Sequence, residues 1–142
     1  MKTKNIKVPR GIRNNNPLNI RKGNNWQGER PNQTDPAFEE FESMQMGFRA
    51  GLKLLKRYIS GADGRYQPRD TIRLIIQKWA PPSENATQKY IDTVCQRTGM
   101  HPDQQVCFNH RDDICRIAQA MAWVECGQLI DISIIQSAYD LV

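Results

Sequence analysis

From Ser43 onward, apolar residues return at helical spacing. Met46, Phe48, Leu52, Leu55, Tyr58 and Ile59 fall on one face of a helix that Ser43 caps and Gly61 ends. Ile72, Ile75, Ile76 and Trp79 mark a second helix opened by Arg69 or Asp70. Ala80-Pro81-Pro82 stops it, because proline lacks the amide hydrogen that a helix interior needs. Asn85 caps a third helix, through Tyr90, Ile91 and Val94 to Gly99. A fourth starts near His110, carries Ile114, Ile117, Met121 and Val124, and ends by Gly127. Asp131 caps the last, through Ile134, Ile135, Ala138 and Leu141.

Ahead of Ser43 the helical period is missing. Asn14-Asn15-Asn16-Pro17 is a turn cluster, because Asn tolerates left-handed backbone and Pro fixes φ. Leu18 to Arg21 is a short extended segment, Gly23-Asn24-Asn25 a turn, and Trp26 to Gly28 a segment able to pair back. Phe38 to Phe41 is another short strand, with Glu39, Glu40 and Glu42 as exposed strand residues. The expected fold is mainly α (α+β): a helical domain over residues 10–142 with a small β-lobe near the front, preceded by a basic tail over residues 1–9. A helical lobe facing a small β-lobe leaves a cleft suited to a polymer.

Composition adds bounds. The chain has 142 residues, 39% hydrophobic and 25% charged, which is enough for one hydrophobic core. No apolar run is long enough to span a bilayer, and the basic start has no apolar stretch behind it, so no signal peptide is read. The net charge is +5, and Lys2, Lys4, Lys7, Arg10, Arg13, Arg21 and Lys22 all precede the first acid, Glu29. Such a front suits an anionic polymer, either wall glycan with its peptide carboxylates or nucleic acid; a solvated tail explains Met1 to Val8 equally well. Cys95, Cys107, Cys115 and Cys126 form no CxxC pair, and His101 and His110 lack zinc-finger spacing, so neither metal nor organic cofactor is expected. Disulfides are open on this reading, and Cys115 lies on the apolar side of its helix.

One acid stands out. Glu125 ends the apolar, small-residue helix Ile117-Ala118-Gln119-Ala120-Met121-Ala122-Trp123-Val124 and is followed by Cys126-Gly127. Cleaving a glycosidic bond needs a carboxylic acid that stays protonated near neutral pH, and both burial and a helix C-terminus push a Glu that way. A solvent-facing Glu at a helix end is the plain alternative. Glu29 and Asp35 are candidate second carboxylates across the cleft, against a plain reading as solvated loop acids. Glu84, in Pro-Pro-Ser-Glu-Asn, is either substrate-binding or a simple helix-start acid. Tyr90 is a candidate to hydrogen-bond substrate or stabilise positive charge, Trp26 and Trp79 to stack on sugars, and Asn16 and Asn19 to meet N-acetyl groups. Core packing explains Trp79 better, and turn formation explains Asn16 equally well.

The segment Arg10-Gly11-Ile12-Arg13-Asn14-Asn15-Asn16-Pro17-Leu18-Asn19-Ile20-Arg21, followed by Trp26-Gln27-Gly28, resembles the opening of a family of phage and prophage lysin-like proteins, some known only as virion structural proteins. Trp79-Ala80-Pro81-Pro82-Ser83-Glu84-Asn85 and Tyr90 are similar to that family too. More remotely, Asn16 to Arg21 resembles the Asn-Leu-Phe-Gly-Ile-Lys run of autolysin-type glucosaminidases in the lysozyme superfamily, Phe38 to Ser43 their Phe-x-x-Tyr-x-Ser segment, and Tyr90 their late tyrosine near the scissile bond. Those enzymes carry the catalytic Glu upstream of the Asn-Leu-Phe run, where this chain has no acid. Ala118 to Gly127 is similar to their catalytic helix, displaced to the C-terminal side. A circularly permuted lysozyme-like core follows as a hypothesis, in which Glu125 meets Asn16 to Arg21 in space.

Residues and resemblance together give the expectation of an endolysin-like glycosidase or lytic transglycosylase acting on peptidoglycan glycan strands as a monomer, with Glu125, Tyr90 and Glu29 catalytic and Asn16, Asn19, Trp26 and Glu84 binding substrate. Which glycosidic bond is cut, and whether by water or by the sugar's own hydroxyl, is left open. A cytoplasmically made protein without a signal peptide must then reach the wall or periplasm by lysis, in a virion or through a secretion system. The rivals are a non-catalytic wall-binding or virion structural protein and, more weakly, a nucleic-acid binder, for which no DNA-reading motif is present.

Overall fold

A computed structural model describes residues 8–62, 67–83 and 86–142. Among these, six α-helices carry the fold: α1 (Arg10–Arg13), α2 (Met44–Ser60), α3 (Ile72–Trp79), α4 (Thr87–Thr98), α5 (Arg111–Cys126) and α6 (Ile132–Tyr139). The molecule is mainly helical, as the periodicity predicts. Of the expected basic tail, residues 1–7 lie outside the described residues.

The helix ends follow local chemistry. The Ser43 hydroxyl accepts from the Met46 amide at the start of α2, and Gly61 closes it at φ 75°. Gly99 and Gly127 end α4 and α5 in the same left-handed conformation. Asp131 caps α6 by accepting from the Ser133 amide. The cap of α3 is a correction: Thr71, not Arg69 or Asp70, accepts from the Leu74 amide. The expected cap of α4, Asn85, lies outside the described residues.

Helix α5 is the central element, in contact with α4, α6, α2 and α1. Ile114, Cys115, Ile117, Ala118, Ala120, Met121 and Ala122 are all buried. They meet Phe48, Leu52 and Leu55 of α2, Ile72, Ile75 and Ile76 of α3, Ile91 and Val94 of α4, and Ile135 of α6 in one apolar cluster. Each large side chain so buried contributes roughly 1.5–3 kcal/mol. Ala118 and Ala122 are fully buried in the helix that carries Glu125 in its last turn.

The expected β-lobe is an irregular lobe. Its pairing is limited to two isolated antiparallel bridges, Arg21 with Phe38 and Glu29 with Phe41. Backbone hydrogen bonds from Lys22 to Ala37, Glu39 to Ile20, Arg30 to Glu40 and Glu42 to Gly28 accompany the bridges, and side chains reinforce them. Asp35 accepts from the Ala37 and Phe38 amides, and Glu40 from the Asp35 and Thr34 amides. Asn16 bridges the Ile20 and Glu39 backbone. Glu39 and Glu40 are therefore not exposed strand residues: only 4% and 3% of their surfaces reach solvent. Asp35 is likewise a buried anchor, held by Arg10, Arg13 and Asn14, rather than a solvated loop acid. Ile20, Phe41 and Ala50 form a second small core that seats the lobe on α2.

Candidate active site

The C-terminal end of α5 docks on the loop 16–19 through side chains of both partners. Asn19 takes φ 52°, a left-handed conformation that Asn tolerates. Its side-chain amide donates to Glu125 Oε1 at 3.0 Å and to the Glu125 carbonyl at 3.3 Å. One residue thus satisfies a helix-terminal carbonyl and holds the carboxylate above it. The next side chain, the Cys126 thiol, donates to the Pro17 carbonyl at 3.1 Å. Gly11 of α1 makes room: a Cβ there would lie 2.4 Å from Cys126 Sγ and 2.9 Å from Asn19 Oδ1.

From the other side, the Tyr90 hydroxyl donates to Glu125 Oε2 at 3.0 Å. Tyr90 stands in the first turn of α4 and is 6% exposed. Burial and the neighbouring Glu125 charge raise its pKa well above the ordinary tyrosine value, so it remains a neutral hydroxyl. Burial raises the Glu125 pKa above the usual carboxylate value, and the hydrogen bonds from Asn19 and Tyr90 partly offset it. The negative end of the α5 dipole acts in the same direction as burial. The result is a carboxyl group held between two fixed neutral donors, with its pKa above the usual carboxylate value.

Glu125 lines two cavities. One, of about 440 Å³, is bounded by Lys89, Tyr90, Thr93 and Trp123 on α4 and α5. The other, of about 250 Å³, is bounded by Asn19, Arg21, Phe38 and Trp79. Glu125 is the one acid among the described residues that line either cavity. The Arg97 guanidinium lies 3.8 Å over the Trp123 ring and steadies it. Trp79 is partly buried, packs edge-on against Tyr58, and still offers surface to the smaller cavity.

Of the residues singled out in the sequence, Glu125, Tyr90 and Asn19 converge. Asn16 is fully buried with its amide committed to the Ile20 and Glu39 backbone, so its place is in the scaffold. Glu29 accepts from the Trp26 amide and faces Glu39, apart from both Glu125 cavities. Trp26 lines a separate cavity of about 570 Å³ with Arg49, Lys53, Lys56 and Arg57. Glu84 lies outside the described residues.

Sequence reasoning missed Trp123, Lys89, Arg21 and Phe38 as lining residues. Trp123 shares the last turn of α5 with Glu125, which was the available signal; Phe38 and Arg21 meet only through their bridge. It also missed the Glu29–Glu39 pair: burial, then hydrogen bonding and repulsion from Glu29, raise the Glu39 pKa to about 7. The cysteines are free, and no cluster of potential metal ligands occurs among the described residues. No helix among the described residues is long and apolar enough to cross a membrane.

No protein-family model matches the chain. A relative is found among phage proteins. Over 101 residues, 68% of this chain, the sequence is 42% identical to "Protein P5" of Pseudoalteromonas phage PM2. The match spans 60% of that protein's length, less than two thirds of it.

Proposed function

We propose that this protein cleaves the glycan strands of peptidoglycan, with Glu125 as the general acid of a lysozyme-like core. The observation that carries the reading is the Glu125 carboxyl itself: part-buried, raised in pKa, clamped by Asn19 and Tyr90, and lining two cavities at once. A strand lying through both cavities places a glycosidic oxygen beside an acid whose protonated form is favoured by burial over that of an ordinary carboxylate.

In the first step Glu125 gives its proton to the leaving glycosidic oxygen as the bond to the anomeric carbon breaks. Positive charge grows on the sugar, and the carboxylate so formed is held by the Asn19 amide and the Tyr90 hydroxyl. Glu125 then accepts a proton from the nucleophile as its oxygen bonds the anomeric carbon. An inverting hydrolase requires a second carboxylate roughly 6.5–9.5 Å from the acid to activate water. Among the described residues the lining supplies Glu125 alone, and on that basis the sugar's own hydroxyl is the proposed nucleophile, giving an anhydro-sugar product, the lytic transglycosylase outcome.

Digestion of purified peptidoglycan, with products read by mass spectrometry, tests the reading. Anhydro-muramyl ends are the expected product. Reducing ends would point to hydrolysis with a carboxylate from elsewhere. Binding without cleavage, on several wall types, would replace the proposal with a wall-binding or virion structural role.

A further inference from the structure

The smaller Glu125 cavity has a cation in it. Arg21 lines this cavity of about 250 Å³ together with Asn19, Phe38, Trp79 and Glu125. Its side chain is exposed, and its guanidinium carbon lies 5.0 Å from the centroid of the Phe38 ring. Arg10 approaches the same ring at 4.5 Å, but its charge is taken by Asp35. Arg21 has no ion pair with any described acid. The bridge between Arg21 and Phe38 fixes both residues relative to the loop that carries Asn19. The site therefore presents an apolar wall of Phe38 and Trp79, an amide at Asn19, and one open guanidinium.

A neutral sugar polymer gives such a guanidinium no counter-charge. A sugar carrying a carboxylate does, and the planar fork of Arg matches a carboxylate through two parallel hydrogen bonds. We propose that Arg21 forms a carboxylate-binding subsite, which selects glycan bearing a free carboxylate, such as the lactyl group of a muramyl residue that carries no stem peptide, beside the bond presented to Glu125. The inference rests on the glycan-cleaving reading for its substrate class, but its readout is binding and does not need turnover. Arg21 is a specificity residue in this account: it receives the substituent and takes no part in proton transfer.

The test uses peptide-free wall glycan strands in two forms, with their lactyl carboxylates free and with them converted to methylamides. Binding is followed by tryptophan fluorescence for the full chain and for Arg21→Gln and Arg21→Lys. The free-carboxylate strands are expected to bind the wild type at least about tenfold more tightly than the amidated strands. Arg21→Gln is expected to remove that preference, while Arg21→Lys keeps part of it. Equal affinity of the wild type for both strands, or equal weakening of both by Arg21→Gln, would overturn the subsite, as would the absence of any binding. Discrimination between strands by a protein that also cleaves none of several intact walls would uphold the subsite and sink the enzymatic reading, so the two failures are distinguishable.

Discussion

The Asn19 side-chain amide reaches the Glu125 carboxylate at 3.0 Å across 106 residues of sequence. A loop at the front of the chain thereby holds an acid near its end. The same contact joins the irregular lobe to α5, so the geometry of the acid depends on the seating of that lobe. Removing material around this joint should affect acidity and stability together.

Tyr90→Phe removes a donor that favours the ionised form of Glu125. The Glu125 pKa should rise further, because burial then acts with less opposition. Since the protonated acid is the working form, the alkaline limb of the kcat/KM profile should move to higher pH by about half to one unit. A limb that moves down or stays in place would mean that Tyr90 does not act on Glu125.

Gly11→Ala should loosen the same joint. The new Cβ would stand 2.4 Å from Cys126 Sγ, 2.8 Å from the Asn16 carbonyl and 2.9 Å from Asn19 Oδ1. The neighbours must shift, at a cost of roughly 1–3 kcal/mol. Thermal unfolding should show a lower midpoint, and turnover should fall as Asn19 is displaced. A variant with wild-type stability would show that the joint has slack.

Glu39 makes stability depend on pH. Its pKa is near 7 in the folded protein, above the ordinary carboxylate value of 4.5. A group raised in this way contributes stability that is complete below pH 4.5 and is lost as pH rises through about 7. Glu39→Gln keeps a neutral side chain at every pH. The variant should therefore exceed the wild type in stability at pH 8, by on the order of 1–2 kcal/mol, and the difference should shrink toward pH 5. Melting curves across that range read it directly.

Asp35 has the opposite sign. The Arg10 guanidinium, opposed by burial but aided by the Ala37 and Phe38 amides and by Asn14, holds its carboxyl well below the usual range. Its contribution is present above the ordinary carboxylate pKa and is lost only in strong acid. Asp35→Ala leaves a buried Asn14 amide and two backbone amides unpaired. It should lower the melting temperature far more than Asp103→Ala, which breaks an exposed pair with Arg73.

The helical part of the fold was legible because its causes are local. Apolar periodicity marks α2 to α6, and Ser43, Gly61, Gly99, Gly127 and Asp131 punctuate them where expected. The lobe was less legible. Its order comes from Asn16 bonding distant backbone and from Asp35 and Glu40 bonding amides of the loop around them, and no periodicity records such contacts. For the same reason Glu39 and Glu40 read as exposed while both are buried. In the candidate site, Glu125 was legible as a lone acid on an apolar helix, and resemblance singled out Tyr90. Arg21 and Phe38 were not, since only a pairing between separate loop segments puts them beside the acid.

The central claim is that Glu125 is the proton donor. Peptidoglycan digestion by the wild type and by Glu125→Gln tests it most directly, with circular dichroism to verify the fold and strand binding to verify the groove. The account predicts that the Gln variant stays folded, still binds glycan, and releases products at a rate lower by a factor of at least about 100. Cleavage by a folded Glu125→Gln variant at the wild-type rate would contradict it.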